Sequence, residues 1–231
     1  MAKIFLIPTP LSPVDFSPLL NREVIATLDY FVVENIRTVR RFLATLKLDR
    51  PIDEMEFAEL SEHTPAAQVE QLLLPVLNDD RSCGVLSEAG LPCVADPGNL
   101  LVGAAHRHGV EVVPLVGGSS IMLALMASGA GGQNFAFNGY LPVKGADRLS
   151  AIRRIERLAQ SGQTQIFIET PYRNLSLFSD LVNSCNRNTM LCVASDLTGD
   201  NMLITSRTIG WWLSHGPLGL GKVPAIFVLF M

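Results

Sequence analysis

The sequence predicts an α/β protein of two domains, an N-terminal parallel α/β domain followed by a C-terminal mixed α+β domain. The central stretch from Val85 to Ser120 passes twice from a short apolar run through a glycine-containing loop into a helical pattern. This succession is typical of βαβ units, which build parallel sheets. The second half of the chain alternates less regularly and ends in an apolar run over 223–230. The chain has 231 residues, enough for two small domains.

The composition shifts between Gly117 and Gly132. We therefore set the domains at 1–116 and 117–231 and expect a ligand cleft between them, since clefts at domain interfaces favour small molecules. Apolar runs and turn residues predict N-terminal strands over 4–7, 29–33, 84–86 and 110–115, with helices over 19–28, 38–48, 66–77 and 97–108. The stretch 52–60 has a mixed pattern that is compatible with a strand within it. They predict C-terminal strands over 135–142, 164–168, 190–194, 201–207 and 223–230, with helices from 121 and over 147–159, 175–183 and 209–214.

Single residues refine these elements. Asp96 is expected to cap a helix whose first residue is Pro97, because proline has no N–H to leave unpaired there. The short β-branched run 110–115 is typical of a buried parallel strand. The helix 147–159 carries several charges, including Arg148 and Glu156, which we place on an exposed outer face.

Composition and charge limit the function classes. The net charge is −4, so no broad basic field is available to capture naked nucleic acid, although a local basic patch remains compatible with it. The four cysteines form no CxxC pair, and we expect no metal site. The first apolar run has only four residues before Pro8, too few for a secretory signal, and no segment reaches the length of a membrane span. We therefore expect a cytoplasmic protein that does not contact a membrane.

Polar residues follow several predicted strands. Glu34 and Arg37 follow the second strand, His63 lies in a polar loop, and Glu88 follows the strand at 84–86. Because parallel sheets bind ligands outside the carboxyl ends of their strands, these side chains are candidates for a site. Each also has an ordinary structural interpretation: a surface ion pair for Glu34 and Arg37, an exposed loop for His63, and a common βα turn for Glu88.

Arg37, Arg40 and Arg41 form the densest positive cluster of the chain. They are suited to hold a phosphate, while a solvated helix face is the alternative.

Five motifs in order resemble one family. They are SEAGLP (87–92) with ADPG (95–98), VPLVGGSS (113–120), NGYLP (138–142), FIETPYR (167–173) and ASDLT (194–198). The sequence resembles the tetrapyrrole-methylase superfamily of S-adenosylmethionine (SAM)-dependent enzymes. Within it, the chain is most similar to the branch of small-subunit ribosomal-RNA cytidine 2′-O-methyltransferases. The resemblance implies a two-domain tetrapyrrole-methylase-like fold, SAM bound between the domains, a homodimer, and ribosomal RNA or the small ribosomal subunit as partner.

The resemblance also assigns residues, carried over by position. The cofactor-binding positions are Pro8, Glu88, Leu91, Ser120, Ile121, Thr170, Pro224 and Ala225. A carboxylate such as Glu88 suits the ammonium or the ribose hydroxyls of SAM. Leu91, Ile121 and Ala225 are expected to line an apolar slot for its adenine. Arg37 is expected near the RNA, with Glu34 or His63 assisting removal of the acceptor's proton.

The departures from the branch fall on the acceptor side. The branch has an acidic residue followed by Asp-Thr-Arg where this chain has Glu34-Asn35-Ile36-Arg37, and its His-Glu-His-Asn-like loop is reduced to Ser61-Glu62-His63-Thr64. The resemblance further implies a shortened member, since the sequence ends soon after Pro224. Three functions follow: a ribosomal-RNA methyltransferase, a methyltransferase of a tetrapyrrole or other small acceptor, or a SAM-binding paralogue without catalysis.

Overall fold

The computed structural model describes residues 1–231 and divides into two compact units, Met1–Ser119 and Ser120–Met231. The boundary expected after residue 116 falls just before this division. Each unit contains one five-stranded sheet with helices packed on it. None of the helices combines the length and apolar composition that crossing a bilayer requires.

The first unit has a parallel sheet. Its strands are β1 Lys3–Leu6, β2 Tyr30–Val33, β3 Glu56–Glu59, β4 Cys83–Leu86 and β5 Glu111–Pro114. Its helices are α1 Arg22–Ala26, α2 Ile36–Thr45, α3 Ala66–Asn78 and α4 Gly98–Arg107. The strand order is β3-β2-β4-β1-β5, and every neighbouring pair is parallel, which confirms the predicted parallel α/β domain.

Alternating side chains of the central strands place a core on each face of this sheet. Tyr30 and Val32 of β2 pack with α3 and α4, while Phe31 and Val33 pack with α1 and α2. β2 and β4 are buried along their whole length, as apolar strands covered by helices on both faces should be. Burial of β2 and β4 fixes their register and therefore where the loops at their carboxyl ends emerge.

Three local expectations were wrong in detail. β5 is a half-exposed edge strand rather than a buried one, because it pairs only with β1. α4 begins at Gly98, and Asp96 accepts hydrogen bonds from the backbone N–H groups of Gly98 (2.7 Å) and Cys93 (2.9 Å) instead of sitting at the cap. α2 begins at Ile36, two residues before the predicted start, because the side chain of Asn35 caps it by accepting from the Thr38 N–H at 3.1 Å.

The second unit has a mixed sheet. Its strands are β6 Phe135–Tyr140, β7 Thr164–Glu169, β8 Met190–Ser195, β9 Leu203–Thr208 and β10 Ala225–Phe230. Its helices are α5 Ser120–Ser128, α6 Gly145–Gln160, α7 Asn174–Ser184 and α8 Ile209–His215. The order is β6-β7-β10-β8-β9, with β6 and β7 parallel and the other pairs antiparallel, which confirms the predicted mixed α+β domain.

The apolar strand β10 lies at the centre of this sheet and is buried at all six positions. α6, α7 and α8 cover one face of the sheet and α5 covers the other. The charged outer face expected for α6 is wrong at two positions: Arg148 is 1% exposed and Glu156 is 9% exposed. Both are tied into the unit by hydrogen bonds, Arg148 to the Pro142 carbonyl and Glu156 to Thr189.

Candidate functional site

Three loops meet at the carboxyl edge of the first sheet. The loop after β1 is joined to the loop after β4 by paired backbone hydrogen bonds between Thr9 and Gly90, 2.9 and 3.2 Å long. Gly90 makes this turn with φ of +79°, a conformation that glycine adopts without strain. The loop after β5 packs on the first loop so tightly that a Cβ at Gly117 would lie 2.2 Å from the ring of Pro8.

The predicted cofactor residues of the first unit belong to these loops. Pro8 is buried, Leu91 is half-buried and Glu88 is exposed. The backbone contacts just described hold Pro8 close to Gly90 and hence to Leu91. Glu88 lies in the same loop, and its side chain is exposed at the carboxyl edge of the sheet.

The predicted cofactor residues of the second unit fall into two groups. Ala225 pairs with Glu169 across β10 and β7, so Thr170 and Pro224 flank the same end of that sheet. The Pro224 carbonyl also accepts a hydrogen bond from the Asp196 N–H at 3.0 Å, which ties the loop after β8 to this end. Ser120 and Ile121 begin α5, on the sheet face that α5 covers.

A buried ionic network supports Thr170, and the sequence did not reveal it. The Glu169 side chain is fully buried, and its Oε1 accepts hydrogen bonds from the Thr170 N–H (2.7 Å) and Arg173 Nε (2.9 Å). Its Oε2 has no hydrogen-bond partner and lies 3.8 Å from Nη2 of Arg148. Arg148 in turn donates to Asp180 at 2.9 Å. The only sequence signal was Glu169 four residues before Arg173, directly after an apolar strand.

Two of the three predicted catalytic residues line one cavity. The cavity has a volume of about 700 Å³ and lies against the ends of β2 and β3 and the loop before α4. Its lining residues include Glu34, Glu62, His63, Cys93 and Asp96. His63 is largely exposed, and its Nε2 lies 3.5 Å from Glu62. The cavity thus combines several carboxylates with one imidazole, a set suited to accept a proton.

Glu34 has a perturbed titration in this cavity. Desolvation raises the pKa of its carboxyl above the ordinary value, and the nearby carboxylates of Glu88, Asp96 and Glu62 raise it further. A hydrogen bond from the Glu88 N–H, 3.3 Å long, partly offsets these effects. Burial also raises the pKa of the Cys93 thiol to about 12, so this thiol stays protonated and is a poor nucleophile at neutral pH.

Arg37, the third predicted catalytic residue, is not among the residues that line this cavity. It lies exposed in the first turn of α2 rather than on the loop, and it lines neither this cavity nor the one discussed below. The predicted arginine cluster is divided, because Arg40 forms an ion pair with Asp53 and lies over the ring of Phe57. Arg37 and Arg41 form no ion pair in the structure.

The raised pKa of Glu34 predicts that the free energy of unfolding falls as pH rises. Between the unfolded pKa of Glu34 and its higher folded pKa, the folded state binds more protons, so the free energy of unfolding decreases across that window. Glu34→Gln removes the ionisable carboxyl and therefore this decrease in the free energy of unfolding. We expect the variant to match the wild type below the unfolded pKa and to be slightly more stable at neutral pH, by less than about 0.5 kcal/mol as for a surface substitution. Urea unfolding at several pH values measures the difference, and a variant that loses stability at neutral pH would contradict it.

Solved structures identify the fold. CobJ, a methyltransferase, superposes with a TM-score of 0.62 at 16% identity, covering 100% of this chain and 94% of CobJ. Uroporphyrin-III C-methyltransferase from Thermus thermophilus, complexed with S-adenosylhomocysteine, has a TM-score of 0.57 at 15% identity, covering 99% of this chain and 97% of that one. The chain therefore has the two-domain fold of the tetrapyrrole methylases, as the sequence predicted.

Sequence relatives narrow the class. Proteins named ribosomal RNA small subunit methyltransferase I match at 33% identity in Mesorhizobium japonicum, 31% in Vibrio cholerae and 30% in Xylella fastidiosa. Each match covers 84% of this chain, together with 63%, 65% and 68% of the respective relatives. No protein-family model matches. The chain belongs to the ribosomal RNA small subunit methyltransferase I family, and it spans less than two thirds of the first two relatives.

Proposed function

We propose that the protein is a SAM-dependent methyltransferase that methylates a ribose 2′-hydroxyl of ribosomal RNA in the small ribosomal subunit. One observation carries the proposal. The Glu88 N–H donates a hydrogen bond to the carboxylate of Glu34. Glu88 lies in the loop expected to bind the cofactor, and Glu34 is a candidate for removing the proton of the acceptor. This hydrogen bond joins the proposed proton acceptor to the loop proposed to bind the cofactor. Membership of the family supports the same assignment.

The residues around these loops suit SAM. The exposed Glu88 carboxylate matches the ammonium or the ribose hydroxyls, and the half-buried Leu91 and Ile121 match an apolar adenine. Gly117 packs directly on Pro8, so the backbones of their two loops lie close together and position 117 has no room for a side chain. Ser120, Thr170, Pro224 and Ala225 complete the proposed set. When bound, SAM supplies an electrophilic methyl group.

The chain's own part in the reaction is to orient the acceptor and remove its proton. Glu34 is a stronger base than an ordinary carboxylate because its pKa is raised, which favours proton transfer from the hydroxyl. His63, on the same cavity, is the second candidate base. Arg37, exposed on α2, is proposed to contact an RNA phosphate. The net charge of −4 is compatible with a substrate that an assembled subunit presents, since such a substrate needs less electrostatic capture than free RNA.

Cofactor binding is tested by calorimetry with SAM and S-adenosylhomocysteine. We expect micromolar binding by the wild type and none by Leu91→Arg. The charged arginine side chain would fill the apolar slot that is proposed to hold the adenine. Leu74→Arg, on the exposed face of α3, is the matched control and should bind like the wild type. Methyl transfer from radiolabelled SAM to unmethylated small subunits then tests the acceptor. Glu34→Gln and His63→Gln should lower the rate on the order of 10²-fold for the residue that is the base.

The outcomes separate the alternatives. Binding without transfer to any acceptor, with no effect of Glu34→Gln or His63→Gln, would mean a SAM-binding protein without catalysis. Transfer to a tetrapyrrole but not to subunits would reassign the acceptor. No binding to folded protein would remove the methyltransferase proposal altogether. The homodimer and the cytoplasmic location stay predictions.

A further inference from the structure

A second cavity in the first unit has no assigned ligand. It has a volume of about 640 Å³ and lies between the loop after β1, one side of α2 and the loop after β4. Its walls are mainly apolar, with Leu11, Phe16 and Phe42 among them, and its polar groups include Arg41 and Glu88. Small-molecule pockets have this size and this mixture of apolar wall with few polar groups.

An exposed aromatic ring stands at this cavity. Phe16 is 69% exposed and belongs to none of the four hydrophobic clusters of the chain. Phe42, on the α2 side, is 9% exposed and packs into the core beneath the cavity. Because Phe16 does not pack into a core, its ring is available to stack on a flat ligand. Every nucleobase has a flat aromatic face that can stack in this way.

Unpaired positive charge lies on the same helix. Arg37 and Arg41 are four residues apart, so they project from one face of α2. Both lack an ion pair, whereas Arg40 is neutralised by Asp53. Arg41 lines the cavity, and Arg37 lies one helical turn nearer to the Glu34 end of α2. One guanidinium in an apolar, aromatic-lined cavity and a second one helical turn away match a base and its flanking phosphates.

We propose that this cavity receives a nucleobase of the acceptor RNA strand, which stacks on Phe16 while Arg41 and Arg37 contact the neighbouring phosphates. The inference rests on the proposed function, because it assumes that RNA is the acceptor. Glu88 lines this cavity and its backbone N–H contacts Glu34. A base held here would therefore place its strand beside the proposed proton acceptor, and the cavity would help to select the nucleotide that is methylated.

Binding of labelled protein to unmethylated small ribosomal subunits at several salt concentrations tests the inference. Phe16→Ala should weaken binding on the order of tenfold, as loss of one base stack does, while Phe16→Tyr should retain it. Arg41→Gln should weaken binding and reduce the slope of log affinity against log salt by about 0.7–0.9, the loss of one phosphate contact. Binding of S-adenosylhomocysteine should stay unchanged in all three variants.

Matched controls are Leu74→Ala, an exposed apolar residue on α3, and Arg154→Gln, an exposed arginine on α6. If Phe16→Ala and Arg41→Gln bind subunits as the controls do while the wild type methylates them, the cavity assignment is overturned and the proposed function stands. Loss of S-adenosylhomocysteine binding in the variants would assign the cavity to the cofactor and overturn it as well. A wild type that neither binds nor methylates subunits would remove both proposals.

Discussion

Arg148→Met is expected to lower the free energy of unfolding by about 3–5 kcal/mol, the largest effect of any substitution considered for this chain. Arg148 is 1% exposed and makes every contact of its guanidinium inside the second unit. It donates to the Pro142 carbonyl at 2.8 Å, to Ser176 at 3.1 Å and to Asp180 at 2.9 Å. Methionine fills a similar volume, so the loss reports mainly the polar partners left behind.

The expected loss of stability is large because the buried carboxylate of Glu169 stays behind. Without Arg148, the buried Glu169 keeps only Arg173 as a cation, and its Oε2 has no positive group nearby. Removing one partner of a buried pair leaves an uncompensated charge, which costs more than the pair itself contributes. Denaturant unfolding monitored by circular dichroism measures the change. Arg153→Met, exposed on the same helix, should change stability by less than about 0.5 kcal/mol. Equal effects of the two variants would mean that the network does not form.

This network also marks the limit of sequence-based prediction. The charges of α6 look like a solvated helix face, because periodicity alone does not distinguish an arginine that faces water from one that faces a buried carboxylate. Burial of Arg148 depends on where β7 and α7 place Glu169 and Asp180, which are remote in sequence. The sheet types, by contrast, were predictable, since apolar runs and glycine loops encode strands and turns locally.

The candidate site was predictable to the same extent. Glu34 was expected at the end of the second strand and His63 in a polar loop, and both line one cavity. Arg37 lies in the first turn of α2, which the Asn35 cap starts early, and it does not line that cavity. The raised pKa of Glu34 and the cavity at Phe16 depend on the packing of separate loops, which no local pattern specifies.

Gly117→Ala is expected to disturb the three-loop junction at the carboxyl edge of the first sheet. The added Cβ would lie 2.2 Å from Cβ and 2.4 Å from Cγ of Pro8, well inside van der Waals contact. The proline ring cannot rotate away as a flexible side chain would, so one of the two loops must shift. Overpacking of this kind destabilises by about 1–3 kcal/mol. If Pro8 contacts the cofactor, affinity for S-adenosylhomocysteine should fall at least on the order of tenfold with it, since a tenfold loss needs only about 1.4 kcal/mol.

Two comparisons isolate the steric cause. At Gly103, on α4, an added Cβ would have only the flexible end of Arg107 within 4 Å, at 3.7 Å, so Gly103→Ala should be neutral or stabilise by up to about 1 kcal/mol. Combining Gly117→Ala with Pro8→Gly removes the ring that the new methyl group meets. The double variant should therefore be less destabilised than the sum of the two single variants, because contacting residues are not additive. Additive losses measured by calorimetric and denaturant titrations would show that the loss in Gly117→Ala does not come from contact with the Pro8 ring.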